Sequence, residues 1–251
     1  MEMKEMEMKE LEIAKLACYK AGDFLLNLKE KKVNSNDEKD IKLQADLDSE
    51  EIICKILMSA FSYPILSEES YKINDKEKKG IYWVVDPLDG SLNYSQDIPL
   101  CCVSIALYEN NNPILGVIYD FNRDEMFSGI VGVGAWLNSE KIIVPKKIKE
   151  KNQAVLATGF SSYMNYGREE LSKFISYIQE FKKIRLLGSA ALSLAYVACG
   201  RIDAYYEKDI AFWDIAAGLA LINSLDINCH LKPNFKEQQY LYNVVVGSVI
   251  G

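Results

Sequence analysis

A chain of 251 residues with 49% apolar and 26% charged side chains can bury a complete core, which excludes a disordered or fibrous protein. Its formal net charge of −7 argues against a nucleic-acid backbone as the main partner, and it suits a small anionic substrate only where bound cations offset the acidic field. Six cysteines without a C-x-x-C pair fit free thiols in a reducing cytosol, and no apolar run reaches the ~18 residues of a membrane span.

The opening MEMKEMEMKELEIAKLACYKAG is charged and has no uninterrupted apolar stretch, so no signal peptide is expected. From Leu11 to about Leu28, apolar residues at helical spacing (Leu11, Ala14, Ala17, Ala21, Leu25) predict an amphipathic helix covering one face of a core. Lys29 to Lys42 is polar and predicts an exposed loop or a frayed hairpin. A second helix is predicted from Ala45 to about Phe61, with Asp46 and Asp48 where an N-cap is wanted. Tyr63 to Leu66 reads as a short strand, and Ile81 to Val85, bounded by Gly80 and Pro87, as a buried strand with Asp86 leaving its end. Cys101 to Tyr108, Ile114 to Tyr119 and Met126 to Ser128, with a turn at Asn122-Arg123-Asp124, predict an antiparallel meander. There follow a helix from Leu171 to Phe181, a strand at Ile184 to Leu187, a helix from Ala190 to Cys199 stopped by Gly200, a strand at Ala204 to Tyr206 and a helix from about Ile215 to Ser224. An antiparallel first half and an alternating second half give a mixed α/β class in sandwiched layers.

Three acidic segments, Ser67-Glu68-Glu69, Asp86-Pro87-Leu88-Asp89-Gly90-Ser91 and Trp213-Asp214, each stand at the edge of a predicted strand or helix, where carboxylates can converge on one crevice. Hard cations take oxygen ligands, so an acidic cluster without His or Cys favours magnesium over zinc. The single histidine, His230, has no supporting motif and reads as an ordinary surface or core residue. Asp86 and Asp89 lie three apart across a predicted Pro-containing turn, which lets both side chains and the Leu88 carbonyl face one point. Gly90 permits close backbone approach, and the Gly90 and Ser91 amides can meet a phosphate oxygen if a short helix starts there. Taken singly, the same residues have plainer roles: D-x-x-D-G is an ordinary turn, Asp214 and Ser189 are helix N-caps, and Glu68-Glu69 is a solvated loop.

In order along the chain, Ser67-Glu68-Glu69-Ser70, Trp83-Val84-Val85-Asp86-Pro87-Leu88-Asp89-Gly90-Ser91-Leu92-Asn93-Tyr94, Gly188-Ser189-Ala190-Ala191 with Cys199-Gly200-Arg201-Ile202-Asp203-Ala204-Tyr205-Tyr206-Glu207, and Trp213-Asp214-Ile215-Ala216-Ala217-Gly218 resemble the inositol monophosphatase family, part of the wider group of magnesium-dependent, lithium-sensitive phosphatases. The resemblance runs from about Leu11 to Ser224. It implies a layered α-β-α-β-α sandwich of the inositol monophosphatase and fructose bisphosphatase type. A single phosphatase domain over 1–251 would have an N-terminal lobe over about 1–145, with the metal motifs, and a C-terminal lobe over about 146–251, with the substrate pocket and the last metal ligand.

The same resemblance implies that Glu68, Asp86 and the Leu88 carbonyl hold a first Mg²⁺, that Asp86, Asp89 and Asp214 share a second, and that Asp46 helps to hold a third. At that last position the family carries a T-x-x-D-like motif, whereas this chain reads Leu43-Gln44-Ala45-Asp46, with Asp48 as the neighbouring alternative. Glu68, Asp89 and Ser91 would be catalytic; Glu68 and Ser91, the latter where the family more often has threonine, would orient an attacking water that the metal activates, with no covalent phosphoenzyme. Gly90, Ser91, Ser189, Ala190 and Glu207 would bind substrate, Glu207 through its hydroxyls.

Asn93-Tyr94 after the D-G-S turn resembles the inositol phosphatase branch more than the adenosine bisphosphate branch, so inositol monophosphate is the expected substrate. The compact length and the D-G-S variant also resemble archaeal enzymes that accept both inositol monophosphate and fructose 1,6-bisphosphate, and histidinol phosphate is a further alternative. A regulatory protein that keeps the fold and acts through a partner is the rival from a different class, although it would not need the retained carboxylates. The resemblance further implies a homodimer that takes a small phosphorylated substrate, while the free thiols predict a cytoplasmic protein, and the acidic charge and lack of a long apolar run predict neither a nucleic-acid nor a membrane partner.

Overall fold

A computed structural model describes residues 2–37, 40–70, 72–73, 77–143, 150–163, 166–234, 240–247 and 249. The opening apolar repeat forms helix α1 (Glu2–Asn27). The polar stretch after it is a hairpin of β1 (Val33–Asp37) and β2 (Asp40–Leu43), with residues 38 and 39 outside the described set. Helix α2 (Gln44–Ala60) begins earlier than its acidic residues suggest. Leu43 takes the N-cap position, and Asp46, three residues in, accepts the Leu43 N–H at 2.6 Å, so neither Asp46 nor Asp48 caps the helix.

Strand β3 (Ile65–Ser67) pairs parallel with β4 (Ile81–Asp89), after which helix α3 (Ser91–Ser95) leads into a meander of β5 (Cys102–Glu109), β6 (Asn112–Asp120), β7 (Glu125–Ile130), β8 (Gly134–Leu137) and β9 (Glu140–Lys141). These seven strands lie in chain order in one sheet. Strand β4 does not end at Val85, and no free turn separates Asp86 from Asp89. Asp86 pairs with Ser104 and Asp89 with Cys102, so β4 carries one extra residue there and bulges at Pro87-Leu88, where proline has no N–H to give the ladder.

The second half runs β10 (Val155–Thr158), α4 (Arg168–Ile178), β11 (Lys183–Arg185), α5 (Ala190–Ala198), β12 (Ala204–Ala211), α6 (Phe212–Ser224), β13 (Cys229–Pro233) and β14 (Leu241–Gly247). Its five-stranded sheet is ordered β11-β10-β12-β14-β13. Strand β10 is parallel to both its neighbours, while β14 is antiparallel to β12 and β13. Helix α6 starts at Phe212, directly after β12, so Ala211 is its N-cap and Asp214 lies inside the first turn rather than capping it.

Alternate side chains of β4 bury on opposite faces, as a period of two requires. Trp83 and Val85 pack with Ala14, Ala17, Ile53 and Leu57 of α1 and α2, whereas Tyr82 and Val84 pack with Ile215 and Leu219 of α6. Each large apolar side chain buried in this way contributes roughly 1.5–3 kcal/mol. Helices α5 and α6 fill the space between the two sheets, and α4 covers the far face of the smaller one, where Phe174 and Tyr177 meet Tyr206 with ring centroids 6.1 and 4.6 Å apart. The order of layers is therefore α-β-α-β-α, as the resemblance implies. Close approach of α6 to the large sheet requires a glycine: a Cβ on Gly116 of β6 would stand 2.4 Å from the Ala217 carbonyl oxygen. No helix among the described residues is long and apolar enough to cross a membrane.

Candidate metal centre

Three chain segments meet beside the bulge of β4, two from the seven-stranded sheet and one from the start of helix α6. The Glu68 N–H donates to the Val85 carbonyl at 3.2 Å, which extends the β3–β4 pairing by one residue and brings Glu68 next to Asp86. Asp214 enters from the first turn of α6. One carboxylate oxygen from each of Glu68, Asp86 and Asp214 lies within 4.8 Å of the other two. Asp86 is buried, and its carboxyl is pushed well above the ordinary carboxylate range, first by burial and then by the charges of Glu68, Asp89 and Asp214. Crowded acids of this kind are costly to ionise without a cation among them. An all-oxygen donor set without imidazole or thiol suits a hard divalent ion such as Mg²⁺.

Asp89 stands beside this trio. Its Oδ2 accepts the Ser189 hydroxyl at 2.6 Å and the Ala191 N–H at 2.7 Å, with the Cys102 thiol at 3.8 Å. Burial pushes its pKa up to about 6, and the donors from Ser189, Ala191 and Ala190 hold it back from rising further. Ser189 does cap α5, accepting the Leu192 N–H at 3.2 Å, and the same hydroxyl ties that helix to Asp89.

Leu88 and Ser91 are linked, the Ser91 hydroxyl lying 2.9 Å from the Leu88 carbonyl and 2.8 Å from Asp46 Oδ1, so its single proton serves one acceptor or the other. Asp48 instead accepts from Gln44 at 2.8 Å, so of the two alternatives it is Asp46 that adjoins Ser91. Gly90, the N-cap of α3, has φ of +89°, and a Cβ there would meet the Leu100 carbonyl at 2.8 Å, so the turn demands glycine on both counts.

Next to Asp89 and Asp214 opens a pocket of about 230 Å³, which Thr158, Ser189, Ala190 and Glu207 also line. Among the described residues that line it there is no lysine or arginine. Glu207 is buried, with its pKa pushed up to about 7 chiefly by burial and further by Asp89, while the Tyr205 hydroxyl, donating at 2.7 Å, draws it down. Tyr205, Thr158 and Cys102 were not foreseen as part of this region. Tyr205 precedes Glu207 by two on one strand and so shares its face, which could have been read from the sequence; Cys102 opposes Asp89 only through cross-strand register. His230 lies exposed on β13, away from these groups in the fold's order, as an ordinary surface residue.

Among known proteins, the chain is 44% identical over 176 residues to Nus factor SuhB of Xylella fastidiosa, a match covering 69% of this chain and 62% of that one. It is 39% identical over 185 residues to inositol-1-monophosphatase of Rhizobium meliloti, covering 71% of this chain and 67% of the relative. The solved inositol monophosphatase from Anabaena superposes with a TM-score of 0.80 at 33% identity, covering 96% of this chain and 91% of that one. A family model matches residues 7–225, and on that span the chain belongs to the inositol monophosphatase family.

Proposed function

We propose that the chain is a Mg²⁺-dependent phosphatase of small phosphate monoesters, with inositol monophosphate as its substrate. The observation that carries this reading is the convergence of Glu68, Asp86 and Asp214 within 4.8 Å beside an acidic pocket. A phosphate ester cannot enter such a pocket unless cations offset its carboxylates. In this reading Glu68, Asp86, the Leu88 carbonyl, Asp89 and Asp214 hold two Mg²⁺ ions, and Asp46 helps to hold a third. Bound there, Mg²⁺ would supply Lewis acidity that activates water and stabilises the departing alkoxide.

The chain's own groups have definable tasks. With its Oδ2 occupied by Ser189 and Ala191, Asp89 is fixed in one rotamer and keeps Oδ1 for the cation. When the Ser91 hydroxyl donates to Asp46, its lone pairs are free to accept a proton from a water held near Glu68, which orients that water and opens a path for the proton towards Asp46. In this reading Gly90, Ser91, Ser189 and Ala190 bind the phosphate, Ser189 and Ala190 from the lining of the pocket at the start of α5. Glu207, near half-protonation at neutral pH, can donate to or accept from the hydroxyls of a polyol. The residues 1–251 form one phosphatase domain in this reading, with the metal motifs in a lobe of about 1–145 and the pocket and Asp214 in a lobe of about 146–251. The protein works as a cytoplasmic homodimer, without nucleic-acid or membrane partners.

The test is phosphate release by the purified chain, with and without Mg²⁺, from inositol 1-phosphate, fructose 1,6-bisphosphate, histidinol phosphate and adenosine 3′,5′-bisphosphate. Magnesium-dependent turnover led by inositol 1-phosphate is expected; preference for the bisphosphate sugar would shift the substrate within the same reaction. A second reading, a regulatory protein acting through a partner, is favoured by the 44% identity to a protein named as a Nus factor. Turnover of none of the four esters by folded, metal-binding protein would support it.

A further inference from the structure

Glu68 hangs from the end of a three-residue edge strand, yet it must meet Asp214, which belongs to a helix fed from the other sheet. Backbone pairing to Val85 fixes only its start. The chain then bends back, and Lys72 returns its ammonium to the loop's own beginning, donating to the Ser67 carbonyl at 2.6 Å and the Glu68 carbonyl at 2.8 Å. The same ammonium lies 4.5 Å from the ring centroid of Trp213, the residue before Asp214. Trp213 packs on Tyr240 with centroids 5.9 Å apart, and the Tyr240 hydroxyl donates to the carbonyl of Ile73 at 3.0 Å. Two adjacent residues, Lys72 and Ile73, thus touch the Trp213–Tyr240 pair at two points.

We propose that Lys72 is a positioning residue for the carboxylate trio, latching the Glu68 loop of the seven-stranded sheet to the Trp213–Asp214 start of α6 so that Glu68 and Asp214 are presented together. Resting on the metal-binding reading above, it adds to that reading the means by which ligands from the large sheet and from α6 are kept in register. Charge alone predicts the opposite sign: a cation beside an acidic cluster repels a divalent ion, so its removal should tighten binding. A latch predicts that removal loosens binding, because each ligand must then be ordered by the ion itself.

The experiment is calorimetric titration of the full chain with Mg²⁺ alone, alongside metal-free melting in EDTA, for the unsubstituted protein, Lys72→Met, Lys72→Arg and Asp86→Asn. Lys72→Met is expected to weaken Mg²⁺ binding about five- to tenfold, the range a partly exposed cation–π contact with its hydrogen bonds can supply. Its metal-free melting midpoint should stay within about 2 °C of the unsubstituted chain. Lys72→Arg, which keeps both the donors and the stacking, should bind within about twofold of the original. Unchanged or tighter binding in Lys72→Met overturns the proposal, as does equal weakening in Lys72→Arg or a metal-free melting midpoint that falls in step with affinity. If Asp86→Asn still binds Mg²⁺ like the original, the metal reading itself fails; if Asp86→Asn loses binding while Lys72→Met does not, only the latch fails.

Discussion

Replacing Glu207 by glutamine should stabilise the metal-free fold increasingly as the pH rises above about 4.5, with the full effect above about 7. Below about pH 4.5 the carboxyl is protonated in folded and unfolded chains alike, so it adds no pH-dependent term. Between 4.5 and about 7 the unfolded chain has released its proton while burial keeps it on the folded one, and stability falls as the pH rises. Above about 7 the folded chain must carry the buried charge, at a cost of roughly 3 kcal/mol for a rise from 4.5 to about 7. An amide is neutral throughout and can still accept the Tyr205 hydroxyl. Urea unfolding in EDTA at pH 5 and pH 8 would read the effect, since Asp86 and Asp89 titrate in both proteins and largely cancel in the difference. The variant should gain roughly 2–3 kcal/mol over the original between the two pH values. A difference independent of pH, or an original chain more stable at pH 8, would refute the assignment of Glu207 as a buried, reluctantly ionised acid.

Asp89→Asn should leave the far-ultraviolet circular dichroism unchanged and lower turnover or metal affinity roughly a hundredfold or more, because it removes charge but not volume; activity like the original's would remove Asp89 from the metal site. Adding Mg²⁺ at about a hundred times its dissociation constant should stabilise the fold by about 2.7 kcal/mol, reversed by EDTA and absent in Asp86→Asn, as read by thermal melting. Gly116→Ala drives a Cβ to 2.4 Å from the Ala217 carbonyl, so α6 or β6 must shift. A loss of about 1–3 kcal/mol and a melting midpoint lower by roughly 3–10 °C are expected, and an unchanged midpoint would mean that α6 is less firmly seated than its packing suggests.

The layers of the fold were legible because long stretches obey one period. The first helix shows 3.6-residue spacing, and β4 shows a continuous apolar run because it is covered on both faces. The convergence of Glu68, Asp86 and Asp214 was legible as acids at element edges. The path between Asp86 and Asp89 was not, since a bulge exists only relative to a partner strand, here at Ser104 and Cys102. Cap positions were misjudged at Asp46 and Asp214 for one reason: an acid in the first turn of a helix looks in sequence like an acid at its cap, and the two differ only in where the preceding strand ends. Strand β10 is four residues long and β13 is largely exposed, so neither offers an alternating pattern, whereas Val244-Val245-Val246 of β14 was a readable signal beyond the last predicted element.

Both sheets end in short strands. The larger is bounded by β3 with three residues and β9 with two, and the smaller by β11 with three and β13 with five. A long unpaired strand is a template on which another chain can extend the ladder, and the length of open backbone sets how many such bonds a newcomer can form. Here the longest border, β13, also turns His230 and Lys232 to solvent and ends in Pro233, which offers no N–H. Among the described residues, the two broad sheets thus hold twelve strands while presenting little border of their own on which edge-to-edge association or fibril growth could start.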